Sequence, residues 1–129
     1  MEANELMVGN VVWYINPNQT TPNGVVVINK IAKNGHLGLE GVTTEYPLIT
    51  DIQGCNINDE VLTALGFEKS DNVFSCVEYD VVKENGCYYF CGTTVLYVHE
   101  IQNILKVMFN DNLIINIQKL QEVYVKGNH

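Results

Sequence analysis

A chain of 129 residues, 47% hydrophobic and 17% charged, is the size of one ordinary domain and can bury a core without metal or disulfide staples. Its net charge is −8, and all seven basic residues are lysines, so it lacks the arginine fork that reads phosphates and guanine edges. Scattered lysines outnumbered by fifteen carboxylates argue against a nucleic-acid-binding surface, while leaving open single phosphates held by lysine and backbone N–H groups, and those carboxylates are too dispersed for the continuous acidic stripe of a DNA mimic.

The N-terminus, Met1-Glu2-Ala3-Asn4-Glu5, is acidic where a signal peptide would be basic and then apolar, and no apolar run approaches the roughly 20 residues of a membrane span. Val8 to Ile15 opens with a Gly-Asn turn and becomes β-branched and aromatic through Trp13, a strand signature. The polar run Asn16 to Gly24, with Pro17 and Pro22, reads as a loop. Val25 to Ile31 is a second strand, Asn34-Gly35 a turn, and His36 to Glu40 a third strand. Three short strands joined by turns predict a small, strongly curved antiparallel sheet, with an SH3-like open barrel as one form it could take. No strand-then-helix frame surrounds the glycines at 35, 38 and 41, so they do not form a phosphate loop.

Ile52 to Ile57 leads into a first helix with Asn58 as N-cap, Asp59 and Glu60 in its first turn, and Val61, Leu62 and Leu65 as its buried stripe. Gly66 fits the position past the last turn, with Phe67 folding back. A hairpin follows, Val73 to Lys83 and Cys87 to Leu96, joined at Asn85-Gly86. That register sets Val81 against Phe90, Lys83 against Tyr88, Tyr79 against Gly92 and Val77 against Thr94 on the core side. Cys76, Glu78, Asp80, Val82, Glu84, Cys87, Tyr89, Cys91, Thr93 and Val95 then share a wet, mixed face. A second helix is expected from Tyr97 to Phe109, with Val98, Ile101, Leu105 and Met108 on its stripe, Ile104 beside it, and His99, Glu100, Gln102, Asn103 and Lys106 outside. Asn110-Asp111-Asn112 stops it. Leu113 to Ile117 reads as a last strand, and the stretch to His129 as a frayed strand or an oligomer-forming arm. The sum is an α+β chain read as a single domain over 1–129, with 118–129 as a tail.

Two segments, Asn58-Asp59-Glu60-Val61-Leu62-Thr63-Ala64-Leu65-Gly66-Phe67 and Tyr97-Val98-His99-Glu100-Ile101-Gln102-Asn103, resemble a family of small phage and mobile-element proteins from gut anaerobes. The start, Ala3-Asn4-Glu5-Leu6-Met7-Val8-Gly9-Asn10, is similar too, and the resemblance runs to about Ile117. It departs at Gly54-Cys55-Asn56, where relatives often have a proline-rich entry to the first helix, and after Ile117. The resemblance implies a mobile-element origin and a shared fold and transfers no catalytic residue; the acidic start and the lack of an apolar span make the host cytoplasm the expected location.

Candidate chemistry is sparse. His99-Glu100-Ile101-Gln102-Asn103 begins like the zinc-protease helix HExxH, but Asn103 stands where zinc needs its second histidine, so no metal site is expected. Asp80, Cys91, Glu78 and Cys76 on the hairpin's polar face could bring two or three groups together at most, since cross-strand neighbours lie about 5 Å apart and same-face neighbours on one strand nearly 7 Å. The two serines, Ser70 and Ser75, sit in no GxSxG turn, and no spacing recommends a Cys–His dyad with His36, His99 or His129. Four cysteines in such a chain are expected as free thiols; along one strand the Cα atoms of Cys87 and Cys91 would stand about 13 Å apart, beyond a disulfide's reach. The expectation is therefore a non-enzymatic accessory protein without cofactor, homo-oligomeric, that binds a host or viral protein. Its expected binding residues are His99, Asn103, Glu100, Tyr97, Tyr89 and Trp13. The alternative is a protein that sequesters a small nucleotide signal of host immunity.

Overall fold

The computed structural model describes residues 5–15, 24–42 and 47–127. It is α+β, with two antiparallel sheets and helices, and divides into two compact units, Met1–Cys55 and Asn56–His129.

The first unit is a four-stranded sheet ordered β3-β2-β1-β4, built from β1 (Val11–Tyr14), β2 (Gly24–Ile31), β3 (Leu37–Leu39) and β4 (Ile52–Gly54). The fourth strand occupies residues the sequence reading treated as a lead-in to the first helix. A register shift between Ile28 and Lys30 bends β2, and the sheet stays open among the described residues. A β-carbon at Gly38, opposite that bulge, would collide with the Asn29 side chain and come within 2.9 Å of Lys30 Cβ. Leu6, Val12, Tyr14, Ile28, Leu37, Leu39 and Ile52 form the core. The Gly9-Asn10 turn is held by buried Asn10, whose Oδ1 accepts from Met7 N–H at 2.7 Å while its carbonyl accepts from Ile28 N–H at 2.9 Å. The loop expected over 16–24 falls almost wholly outside the described residues, as does His129.

In the second unit, α1 (Asp59–Ala64) has both ends where local chemistry predicts them. Asn58 Oδ1 accepts from Val61 N–H at 2.8 Å, and Gly66, at φ +99°, closes the last turn so that Phe67 N–H reaches Leu62 C=O. After it comes a five-stranded meander, β5 (Glu68–Ser70), β6 (Val73–Cys76), β7 (Tyr79–Glu84), β8 (Cys87–Phe90) and β9 (Thr93–Val95), each strand paired with the next. The Asn85-Gly86 turn and the pairs Val81–Phe90 and Lys83–Tyr88 match the expected register.

The single long hairpin does not. Turns at 77–78 and 91–92 cut its arms, so Tyr79 pairs with Cys76, and Thr93 with Phe90. Each two-residue turn keeps paired residues on one face, which carries Cys76, Thr93 and Val95 to the core side with Phe74, Val81 and Phe90. Asp80 faces Ser75 instead of Cys91.

The second helix, α2 (Val98–Phe109), runs as expected, and Asn110 ends it in the left-handed conformation with Asp111 N–H bonded to Leu105 C=O. Its buried stripe is Val98, His99, Ile101 and Leu105; His99 is inside, not outside, and Met108 is exposed. The strand expected over Leu113 to Ile117 is absent. Residues 111–116 form an irregular link, and α3 (Ile117–Gly127) begins where Asn116 Oδ1 accepts from Lys119 N–H at 3.1 Å. Leu120 is fully buried and Tyr124 Oη donates to the Asn56 carbonyl at 2.5 Å, so this segment is a docked helix of its unit.

Val77 is 95% exposed at φ +55°, a conformation that crowds a β-branched side chain for no packing return. Val77→Asn should stabilise the second unit by ~1 kcal/mol in urea unfolding, and Gly66→Ala should destabilise it by about the same amount.

Candidate functional site

The second unit gathers its polar groups at two places. At the first, Asp59, in the opening turn of α1, meets the inner face of the meander. Lys69 and Lys83 both point to that face because they pair with Phe74 and Tyr88. Asp59 accepts from Lys83 Nζ at 3.1 Å, Lys69 Nζ at 3.2 Å and Tyr88 Oη at 2.5 Å. The ammonium groups also lie over rings, Lys69 at 5.7 Å from the Phe74 centroid and Lys83 at 5.6 Å from that of Tyr88. The Tyr88 hydroxyl above all, with the two lysines adding to it, draws the Asp59 carboxyl down from its ordinary 3.8 to about 2 against the opposing effect of burial. Tyr88 moves the other way, to about 12, through burial and its bond to Asp59. A carboxylate with three donors on it fastens a helix to a sheet and is a poor base.

Beside this cluster a groove of about 450 Å³ runs between α1 and α3. Asp59, Glu60, Thr63 and Ala64 line one wall, and Lys119, Glu122 and Val123 the other. Asp59 is already bonded to Lys69 and Lys83, so the charged groups left in the lining are Glu60, Glu122 and Lys119, and one lysine beside two carboxylates is a poor receptacle for a phosphate.

The second place is α2. Glu100 Oε1 accepts from Leu96 N–H at 2.7 Å and Tyr97 N–H at 2.9 Å, closing the N-terminus of the helix in the manner of a capping box. The Tyr97 and His99 rings stack 5.6 Å apart at 8°, with His99 only 2% exposed. Asn103 is half-buried one turn on. Three of the six expected binding residues, Tyr97, His99 and Glu100, therefore build the helix entrance together.

Tyr89 stands on the opposite, outer face of the meander, half-buried, with Val82 and Thr94 as cross-strand neighbours. Trp13 belongs to β1 of the first unit, half-buried between Val25 and Gln53. The cysteines are free, and among the described residues no group of three or more His, Cys, Asp or Glu is placed to hold a metal ion.

At its far end α2 exposes Val107, Met108 and Phe109, and Ile114 follows at 93% exposure. Three consecutive positions at about 100° each sweep most of a helix circumference, so this last turn stands clear on most sides. Phe109 is steadied by Tyr79, whose ring lies 5.3 Å away and whose hydroxyl donates to Asp111 at 2.6 Å. That bond pushes Tyr79 up to about 12 and draws the Asp111 carboxyl down. Sequence reasoning missed both this patch and the Asp59 cluster. Lys83 opposite Tyr88 and Asp59 at the helix start were each visible, but their meeting depends on how α1 lies on the sheet.

Asp59→Asn should cost ~1 kcal/mol, discounted because the carboxylate is partly solvated, and Tyr88→Phe a similar amount, with the double variant less than additive. Folded Asp59 holds a proton less tightly than the unfolded chain. Its contribution is therefore complete above its ordinary 3.8 and is lost as pH falls through about 2. Urea unfolding across that window should show a shallower acid slope in Asp59→Asn than in the native chain.

No protein-family model, curated protein or solved structure matches this chain.

Proposed function

We propose that this is a non-enzymatic accessory protein of a phage or mobile element, homo-oligomeric, that acts in the host cytoplasm by binding a host or viral protein. The observation that carries the reading is the exposed apolar end of α2. Val107, Met108, Phe109 and Ile114 lie within eight residues of chain in a protein of net charge −8. Such a patch costs solubility unless something covers it, and methionine and aromatic side chains are the types that fill partner pockets. Among the described residues no helix is long and apolar enough to cross a membrane, so the patch is not part of a helical span.

The alternative, capture of a nucleotide signal, has less support. The groove between α1 and α3 has a mostly apolar lining with a single lysine, Lys119, and Lys69 and Lys83 are already engaged by Asp59. A pocket formed between copies of the chain would have to draw on other lysines.

Affinity capture of the tagged full chain from infected host cells, with mass spectrometry of proteins and small molecules, separates the two readings. The expected result is one reproducible protein partner that is lost from Val107→Asp/Met108→Asp while the variant unfolds at the native temperature. A stoichiometric nucleotide with no protein partner would move the assignment to sequestration.

A further inference from the structure

The meander has a second face that the Asp59 cluster does not use. Pairing aligns Val73, Val82, Tyr89 and Thr94 in one row across β6 to β9, an apolar stripe with a tyrosine in it. Val73, Val82 and Tyr89 are half-buried and Thr94 is exposed, so the row is open to solvent. Acid flanks it on both sides. Asp80 precedes Val82 by two residues on β7 and Glu84 follows it by two, while Glu68 lies in the Asp80 row through Ser75. Glu68, Asp80 and Glu84 are all exposed, and among the described residues none of them forms an ion pair. The sheet's own cations cannot reach them, since Lys69 and Lys83 are turned to the inner face and held there by Asp59.

We infer that this outer face docks an extended, basic segment of a partner protein, its apolar side chains lying on the Val73–Val82–Tyr89 row and its lysines or arginines on the flanking carboxylates. The assignment rests on the protein-binding reading above and adds the partner's chemistry. Charge complementarity selects it. A strip of one sign around an apolar centre repels acidic chains and favours an extended segment whose alternate apolar side chains face the row while the long stems of the cationic ones between them bend to the flanks. An oligocation without apolar side chains would gain only the screened Coulomb attraction.

The test is calorimetric titration of the full chain at physiological salt with three synthetic peptides: alternating lysine and valine with one tyrosine, the same peptide with glutamate for lysine, and oligolysine. The alternating basic peptide should bind at least about tenfold tighter than the others, a difference of about 1.4 kcal/mol. D80K/E84K should abolish that binding and admit the glutamate peptide, and Tyr89→Ala should weaken it. If D80K/E84K fails to fold, the isosteric D80N/E84Q serves, with a loss of about tenfold expected. Absence of binding, or oligolysine binding equally well and indifferently to Tyr89→Ala, would overturn the assignment. The captured cellular partner separates this outcome from failure of the broader reading. Retention by D80K/E84K with loss from Val107→Asp/Met108→Asp leaves protein binding in place and removes only the sheet face, whereas retention by both variants removes both surfaces.

Discussion

Four two-residue turns in a row decide what the second unit can be. Each pairs the last residue of one strand with the first of the next, so every residue's face follows from the turns that precede it. The row Lys69, Phe74, Val81, Phe90 and Thr93 is therefore fixed to one side, with Lys83, Tyr88 and Val95 in the neighbouring row. Phe74 and Val81 are fully buried there and Phe90 nearly so. A slip of one residue at the 77–78 turn would set Val81 outward and bring Asp80 and Glu84 inward.

The same parity forces Lys69 and Lys83 onto the apolar side, at its margin. A lysine in that position must either snorkel to water or find a counter-charge. Asp59 supplies the counter-charge and does so from the first turn of α1, where a carboxylate also favours the positive end of the helix. Tyr88 adds an O–H donor, so the carboxylate is satisfied by hydrogen bonds as well as by charge. Fastening α1 in this way presents Val61, Leu62 and Leu65 to the unit's interior, and α3, with Leu120 buried, packs beside the helix.

What could be read from residues alone follows how local the determining chemistry is. The caps of α1 and the stop of α2 depend on side chains within a few positions, and Asn58, Gly66 and Asn110 announced them. Asn85-Gly86 did the same for its turn. The turn at 77–78 was not legible, because Val77 is a poor choice for positive φ and Val73 to Lys83 otherwise reads as one strand. Cys91-Gly92 carries a glycine in the right place, but an aromatic, β-branched context masked it. Those two missed turns put Cys76 and Val95 on the wrong face and created the imagined pairing of Asp80 with Cys91. His99 was misplaced for a different reason: polarity argued for solvent, whereas its ring packs flat on Tyr97. In α3, Ile117, Leu120, Val123 and Tyr124 carry a helical period that was taken for a tail, since only the docking of Leu120 shows that the period is used.

The motif that looked most like chemistry is explained by architecture. Glu100 commits its carboxylate to the backbone N–H groups of Leu96 and of the N-cap Tyr97 at the entrance of α2. The acid beside a histidine is thus a cap, and the histidine is part of a core. Asp59 is likewise committed to bonds within its unit, made with the only two lysines of the meander. Using those cations internally leaves the outer face of the sheet uniformly negative around an apolar row, a charge pattern written by the turns and not by an excess of acid. An acidic chain without arginine can therefore still carry a patterned surface: the pattern lies in which side of the sheet its few lysines take and in what that leaves on the other side.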